Sequence, residues 1–365
     1  MRVALVHDYL TQYGGAERVL EALCDIFPQA PIFTLIYDER GTKGVFKERR
    51  IVTSFLQNFE FVKKHHRLFP PLMPIAVEQF DLSAYQVVIS DSASFAKGII
   101  TRPESKHICY CHTPTRFAWD DSHRYVEEFG GYPLIMRKLA PIFLNWLRIW
   151  DHSASLRPDT FIANSYHVQN RIRKYYGRDA EVIFPPVKVD YFSKGKRDEQ
   201  DFFLMAGRLI AYKRFDLGIE AARRAGFNLH IVGDGPAKKQ LKQLAQGASN
   251  IRFLGAVSDE VLREEYSRCQ AMIFPQEEDF GLVAVEAMAA GSPVIAWRGG
   301  GALETVQDGK TGMFFEEQTV ESLEKALQKF NNNDFSTEYI KEHAINFDTT
   351  IFNQKIKNFI DKQLI

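Results

Sequence analysis

No hydrophobic run in the sequence approaches the roughly 20 residues that a membrane-crossing helix needs, so an integral membrane protein of the helical kind is not expected. Net charge is missing as well. The 46 Lys and Arg residues are matched by 46 Asp and Glu. No global field draws in nucleic acid, no nucleic-acid partner is expected, and any basic patch has to be local. Cysteine is scarce, and Cys24, Cys109, Cys111 and Cys269 show no metal-ligand spacing. Cys109-x-Cys111 lies in an apolar, strand-like run that would turn both thiols to one face. Buried free thiols in a reducing cytosol are therefore expected, not a disulfide or a metal site. There is no G-x-G-x-x-G, which disfavours a nicotinamide cofactor, and no Asp-x-Asp in a suitable loop, so no metal is expected. The first residues begin directly on a strand pattern and read as carrying no signal peptide.

What the sequence does have is alternation. With 365 residues, 45% apolar and 25% charged, the chain can build two domains with cores of their own. Val3–His7, Ile32–Tyr37, Val87–Ser90, His107–His112 and Phe161–Ser165 read as strands of a first domain. Phe202–Ala206, Leu229–Val232, Ile251–Leu254, Ala271–Phe274 and Pro293–Ala296 read as strands of a second. Helical patterns follow them at short spacing, which argues for parallel sheets wound on both faces. The prolines after Phe184 and the charged stretch Lys194–Gln200 suit an interdomain connection, placing a first domain at 1–187 and a second at 188–345.

In open α/β sheets ligands bind beyond the carboxyl ends of the strands, and the chemistry-bearing residues fall there. His7-Asp8-Tyr9 leads to Gly14-Gly15 and a helix; the two glycines let a backbone approach a ligand, or simply make a tight turn. His112 ends a strand before a proline turn, where it can donate to a sugar hydroxyl or to developing charge; the alternative is a structural histidine. Arg116, Trp119 and Asp120 follow it and could shape a ligand pocket. Gly207, Arg208 and Lys213 follow Phe202–Ala206. There Arg offers a planar fork and Lys a point charge for an anionic group, although surface cations are common. Pro275–Gly291, PQEEDFGLVAVEAMAAG, sets Glu278 in a loop and Glu286 in the following helix, with Phe280, Gly281 and Leu282 between them. The loop amides and helix N-terminus make an anion site, and Glu278 is better aimed at a sugar hydroxyl.

Two segments mix cations with large apolar residues. Lys63–Pro74 suits a membrane surface or a solvated basic turn. Arg137–Asp151 has Ile142, Phe143, Trp146, Leu147 and Trp150 at helical spacing and reads as a core helix, with membrane contact as the alternative.

Glu278-x7-Glu286, the Phe-Gly-Leu inside it and the trailing Ala-Met-Ala-Ala-Gly-Ser-Pro-Val-Ile-Ala resemble the signature of retaining glycosyltransferases of family 4. The resemblance covers nearly the whole chain. It implies the GT-B fold: two Rossmann-like α/β domains facing a cleft, with a C-terminal helix, 346–365, packing back on the first domain. It assigns Arg208 and Lys213 to the leaving pyrophosphate, Glu278 to the donor sugar and Glu286 to the ribose. His112 is given to the sugar from the first domain, and Gly14 and Gly15 to the phosphates or the acceptor. Gly255–Asp259 matches the nucleobase loop. Val257 would touch the base, and Asp259 could accept from guanine or else serve the helix cap beside Ser258. The His-Asp-Tyr opening, the Gly-Gly loop and Cys-His-Thr-Pro look most like bacterial mannosyltransferases of O-antigen and exopolysaccharide assembly. The implied reaction is metal-independent transfer of a hexose, mannose from GDP-mannose, to a polyprenyl-diphosphate-linked saccharide. The enzyme would be peripheral at the cytoplasmic face of the plasma membrane. A UDP-sugar donor or an epimerase of the same architecture is the alternative.

Overall fold

The computed structural model describes residues 1–65, 69–120 and 134–364. His66, Arg67 and Leu68 of the basic segment, and the side chains of Arg137 and Lys138, lie outside the described residues. The chain divides into two units, Met1–Phe184 with Asn353–Ile365, and Pro185–Phe352.

Among the described residues the first unit has seven parallel strands: β1 (Val3–His7), β2 (Ile32–Thr34), β3 (Ile51–Thr53), β4 (Val87–Ser92), β5 (Lys106–Cys111), β6 (Thr160–Ala163) and β7 (Ala180–Val182), in the order β3-β2-β1-β4-β5-β6-β7. β1 and β4 are buried from end to end. Central parallel strands covered on both faces read as unbroken apolar runs, which is why these strands are visible in the sequence. β2 stops at Thr34, earlier than its apolar run; Leu35 and Ile36 are buried in the core without continuing the strand. Val6, Phe33 and Val88 pack with Phe95 and Leu147, and further along the same sheet face Cys109, Cys111 and Phe161 pack with Tyr176. All four cysteines are free and buried.

Helix α1 (Gly15–Ile26) follows β1, and α2 (Leu134–Ala154) follows β5. The apolar stripe of α2 is wider than one packing face can use. Leu144 and Leu147 are buried, whereas Ile142, Trp146 and Ile149 are exposed at 67%, 43% and 64%. The core-helix expectation therefore holds for one side of α2 only.

The second unit has β8 (Phe203–Ala206), β9 (Leu229–Val232), β10 (Ile251–Gly255), β11 (Met272–Phe274), β12 (Val294–Trp297) and β13 (Gly312–Phe315), all parallel in the order β10-β9-β8-β11-β12-β13. Counted from β8 this is 3-2-1-4-5-6, the doubly wound order whose direction reverses between its first and fourth strands. Helices α3 (Phe215–Ala225), α4 (Asp259–Arg268) and α5 (Leu282–Ala289) flank the sheet, and α5 is buried from Ala284 onward. The last helix, α6 (Thr349–Gln363), belongs to the first unit from Asn353 on.

Candidate active site

In the second unit the strand order reverses between β8 and β11, and the chain leaves both strands through the residues of interest. After β8 it passes Gly207 and Arg208 to a short turn, Ala211–Lys213, and opens α3 through Arg214 in a left-handed conformation (φ 51°). After β11 it passes Pro275–Phe280 and opens α5 through Gly281, also left-handed (φ 94°). A Cβ on Gly281 would lie 2.8 Å from Cζ of Phe274. Backbone conformation and space both demand glycine here.

Lys213 and Glu278 meet at this reversal. Lys213 Nζ lies 2.6 Å from Glu278 Oε1, and Gln276 Nε2 donates to the same oxygen at 3.3 Å. Burial acts to lower the Lys213 pKa, but Glu278, then Tyr212 and Glu286, outweigh it and raise the pKa above the ordinary lysine value. Lys213 is thus a buried, permanent cation. Glu286 is only 1% exposed and accepts from Tyr266 OH at 3.0 Å. The sequence placed these two acids a helix apart; the fold brings both into the field of one ammonium.

The first turn of α5 carries no acidic side chain, and the leading amides of a helix have no partner within it. Its N-terminus offers donors and a partial positive charge beside the Lys213 cation, a pairing suited to a diphosphate. Arg208 is exposed, one residue beyond Gly207. Val257 is half-buried, and Asp259 is exposed as the first residue of α4. The cap of α4 is Ser258, whose side chain accepts from the Val261 amide.

The Phe280 ring is buried and meets Phe347 edge-on at 5.6 Å. The run Gly299-Gly300-Gly301 lets backbone approach closely. What it approaches is the Glu278 loop: the Gly301 amide donates to Glu278 O at 2.8 Å, and a Cβ on Gly301 would fall 2.4 Å from Phe280 Cα.

In the first unit the strand order reverses between β1 and β4. His7 is the register partner of Asp91 across these strands. Its Nδ1 lies 2.8 Å from Asp91 Oδ2, and the other Asp91 oxygen lies 2.5 Å from His112 Nε2, just past β5. The far nitrogen of His7 is 3.8 Å from Glu17 Oε1. Burial disfavours the His7 cation, but hydrogen bonds and charge from Asp91 and Glu17 prevail and raise its pKa to about 10. For Asp91, burial is opposed by His112 and His7, and its pKa ends below the ordinary carboxylate range. Glu17 also caps α1: its Oε2 accepts from the Gly14 amide at 2.8 Å. The Gly14 N–H, a candidate phosphate donor, is therefore satisfied within the chain. A carboxylate already occupies the end of α1.

Asp8, beside His7, holds a turn together. Its Oδ2 accepts from the amides of Ala93 and Ser94 and its Oδ1 from those of Phe95 and Ala96, at 2.6 to 2.8 Å.

Comparison with known sequences assigns these units to a family. The model of Glycosyltransferase Family 4 matches residues 13–191, and that of Glycosyl transferases group 1 matches residues 188–347. The chain is built of glycosyltransferase-family domains. An uncharacterized glycosyltransferase of Methanocaldococcus jannaschii is 32% identical over 184 residues, 49% of this chain and 52% of that relative. A GDP-mannose-dependent alpha-(1-6)-phosphatidylinositol monomannoside mannosyltransferase of Mycobacterium tuberculosis is 30% identical over 159 residues, 39% of this chain and 41% of that relative. The chain spans about half the length of these curated relatives, or less. Anabaena HepE, solved in complex with UDP, superposes with a TM-score of 0.73 at 17% identity over 99% of this chain and 100% of that one, a likeness of fold that marks the architecture as GT-B.

Within the group 1 domain fall Arg208, Lys213, Glu278 and Glu286. The family 4 domain holds Gly14, Glu17, Asp91 and His112 but begins after β1 and so omits His7 and Asp8. Sequence reasoning gave no role to Asp91, Glu17 or Asp8. Asp8 and His7 find their partners 84 to 88 residues away in the chain, and His112 meets Asp91 across 21. The one available signal was the polar His7-Asp8 pair at the end of an otherwise apolar strand.

Proposed function

We propose that the protein transfers a hexose, mannose from GDP-mannose, to a saccharide carried on a polyprenyl diphosphate, with retention at the anomeric carbon. One observation carries this reading: a buried lysine cation and a carboxylate meet at the strand-order reversal, in the loop that leads into a helix with no acidic side chain in its first turn. A diphosphate fits the lysine and the amides, and a sugar hydroxyl fits the carboxylate. As the bond between the anomeric carbon and the diphosphate oxygen breaks, Lys213, Arg208 and the amides at Gly281 and Leu282 take up the leaving charge. The acceptor oxygen bonds to the anomeric carbon on the same face, and its proton passes to the departing phosphate. Glu278 orients the sugar, Glu286 the ribose, and His112 acts on the transferred sugar. No metal is invoked, because the side-chain cations supply the charge.

The mycobacterial relative's GDP-mannose and lipid acceptor support the choice of donor and acceptor class. The exposed apolar stripe of α2 supports docking at a membrane surface, and no helix among the described residues is long and apolar enough to cross one. The UDP in Anabaena HepE favours a second reading, a UDP-sugar donor. Melting curves with GDP, UDP and ADP separate the two. At 100 times Kd a binder gains about 2.7 kcal/mol, so GDP should raise the midpoint by several degrees and ADP should not. A response to UDP alone would overturn the choice of GDP, and a response to none of the three would overturn the donor site. A product that forms without acceptor would point to an epimerase.

A further inference from the structure

His112 has two ring nitrogens, and among the described residues one of them meets a hydrogen-bond partner. Nε2 faces Asp91 Oδ1 at 2.5 Å, while the other oxygen of Asp91 is held by His7 Nδ1 at 2.8 Å. Asp91 is fully buried, at the end of a strand hydrogen-bonded on one side to the strand of His7 and on the other to the strand that leads into His112. The His112 amide also donates to Ser92 O at 2.8 Å, which fixes the backbone from which the ring projects. The His112 side chain is partly open, and Tyr110 lies edge-on to it at 5.3 Å.

A carboxylate oxygen only accepts, so the nitrogen facing it must carry the proton whether the ring is neutral or charged. When the ring is neutral, Nδ1 then holds the lone pair. We infer that Asp91 is a positioning residue for the transfer proposed above: it fixes the His112 ring with Nε2–H inward and leaves Nδ1 as the nitrogen that meets the sugar. His7, bonded to Asp91 and approached by Glu17, locks the carboxylate in turn. This deepens the proposed function and depends on it for the substrate, but not for the state of the ring.

The two conservative replacements of His112 separate the nitrogens. An asparagine amide overlays Nδ1, and a glutamine amide overlays Nε2. If Nδ1 meets the sugar, His112→Asn should keep at least about ten times the kcat of His112→Gln, even though glutamine alone preserves the bond to Asp91. Asp91→Asn should lower kcat by about 10- to 100-fold, as loss of an orienting partner does at metal-bound histidines, while donor KM stays within about twofold. His112→Gln at least as active as His112→Asn would overturn the inference, and so would an Asp91→Asn enzyme with full kcat. The ring can also be read without turnover. In nitrogen-15 spectra of the wild-type protein, at a pH where His112 is neutral, Nε2 should carry the proton. A proton on Nδ1 would overturn the inference by itself. A wild type that transfers no sugar, with the expected tautomer in place, would overturn the proposed function and leave the positioning of His112 standing.

Discussion

Replacing Lys213 with Met keeps the reach of the side chain and removes its charge. Lys213 and Glu278 pair at 2.6 Å, with side chains 11% and 18% exposed. Stripping one partner from a fully buried pair costs about 3–5 kcal/mol, because the remaining charge stays desolvated. Glu278 keeps some contact with water, so about 2 kcal/mol is expected for Lys213→Met. In a unit of this size each kcal/mol moves the melting midpoint by about 2–4 °C. Glu278→Gln alone should cost a similar amount. The double variant should recover much of the loss, giving a coupling of about 1–2 kcal/mol. In the transfer assay Lys213→Met should lower kcat by about 100- to 1,000-fold, the scale for losing one stabiliser of developing charge, with a smaller change in donor KM. Thermal melts of the four proteins and steady-state kinetics of the active ones decide it. Additive single costs would refute the pairing, and an unchanged kcat would refute the leaving-group role.

Stability should depend on pH through two buried histidines of opposite sign. The folded pKa of His7 is raised to about 10, so its contribution is complete below about pH 6.5 and is lost as pH rises toward 10. Burial, with Arg157 and Arg178 nearby, pushes His107 down to about 3, so stability is lost as pH falls from about 6.5 toward 3. Urea midpoints across pH should show His7→Gln flattening the alkaline limb and His107→Gln the acid limb; unchanged slopes would contradict the assignments. Asp8→Asn keeps the shape but offers an amine to two of the four amides, and should cost about 2–4 kcal/mol in urea unfolding; a loss under about 0.5 kcal/mol would count against the turn-holding role. Ile142→Ser/Trp146→Ser/Ile149→Ser should keep its melting midpoint within a few degrees and lose sedimentation with anionic lipid vesicles; undiminished sedimentation would discard α2 as the docking face.

The central strands were legible in the sequence because parallel strands buried on both faces leave runs such as Val3–His7 and Leu229–Val232, bounded by turn residues; the edge strands β3, β7 and β13, short and only partly buried or not buried at all, were not. The Glu278 loop was legible too, because its acids, its obligatory Gly281 and the helix start all lie within a few residues. Side-chain partnership across strands was not. His7 and Asp91 lie on neighbouring strands and His112 just past the next, in a sheet whose order no local pattern encodes, and Lys213 meets Glu278 only because β8 and β11 are neighbours. The burial of Phe280 was hidden for a related reason: an aromatic beside a glycine turn suits a ligand wall or a core equally well, and its ring contact with Phe347 is formed only in the fold.

A crystal structure with bound GDP is the most direct test of the donor site. The diphosphate should lie within hydrogen-bond distance of Lys213 Nζ and of the amides at Gly281 and Leu282, with Glu286 on the ribose and the Lys213–Glu278 pair opened or shared. A diphosphate seated instead at the Gly14 end of α1, or away from the reversal between β8 and β11, would contradict it.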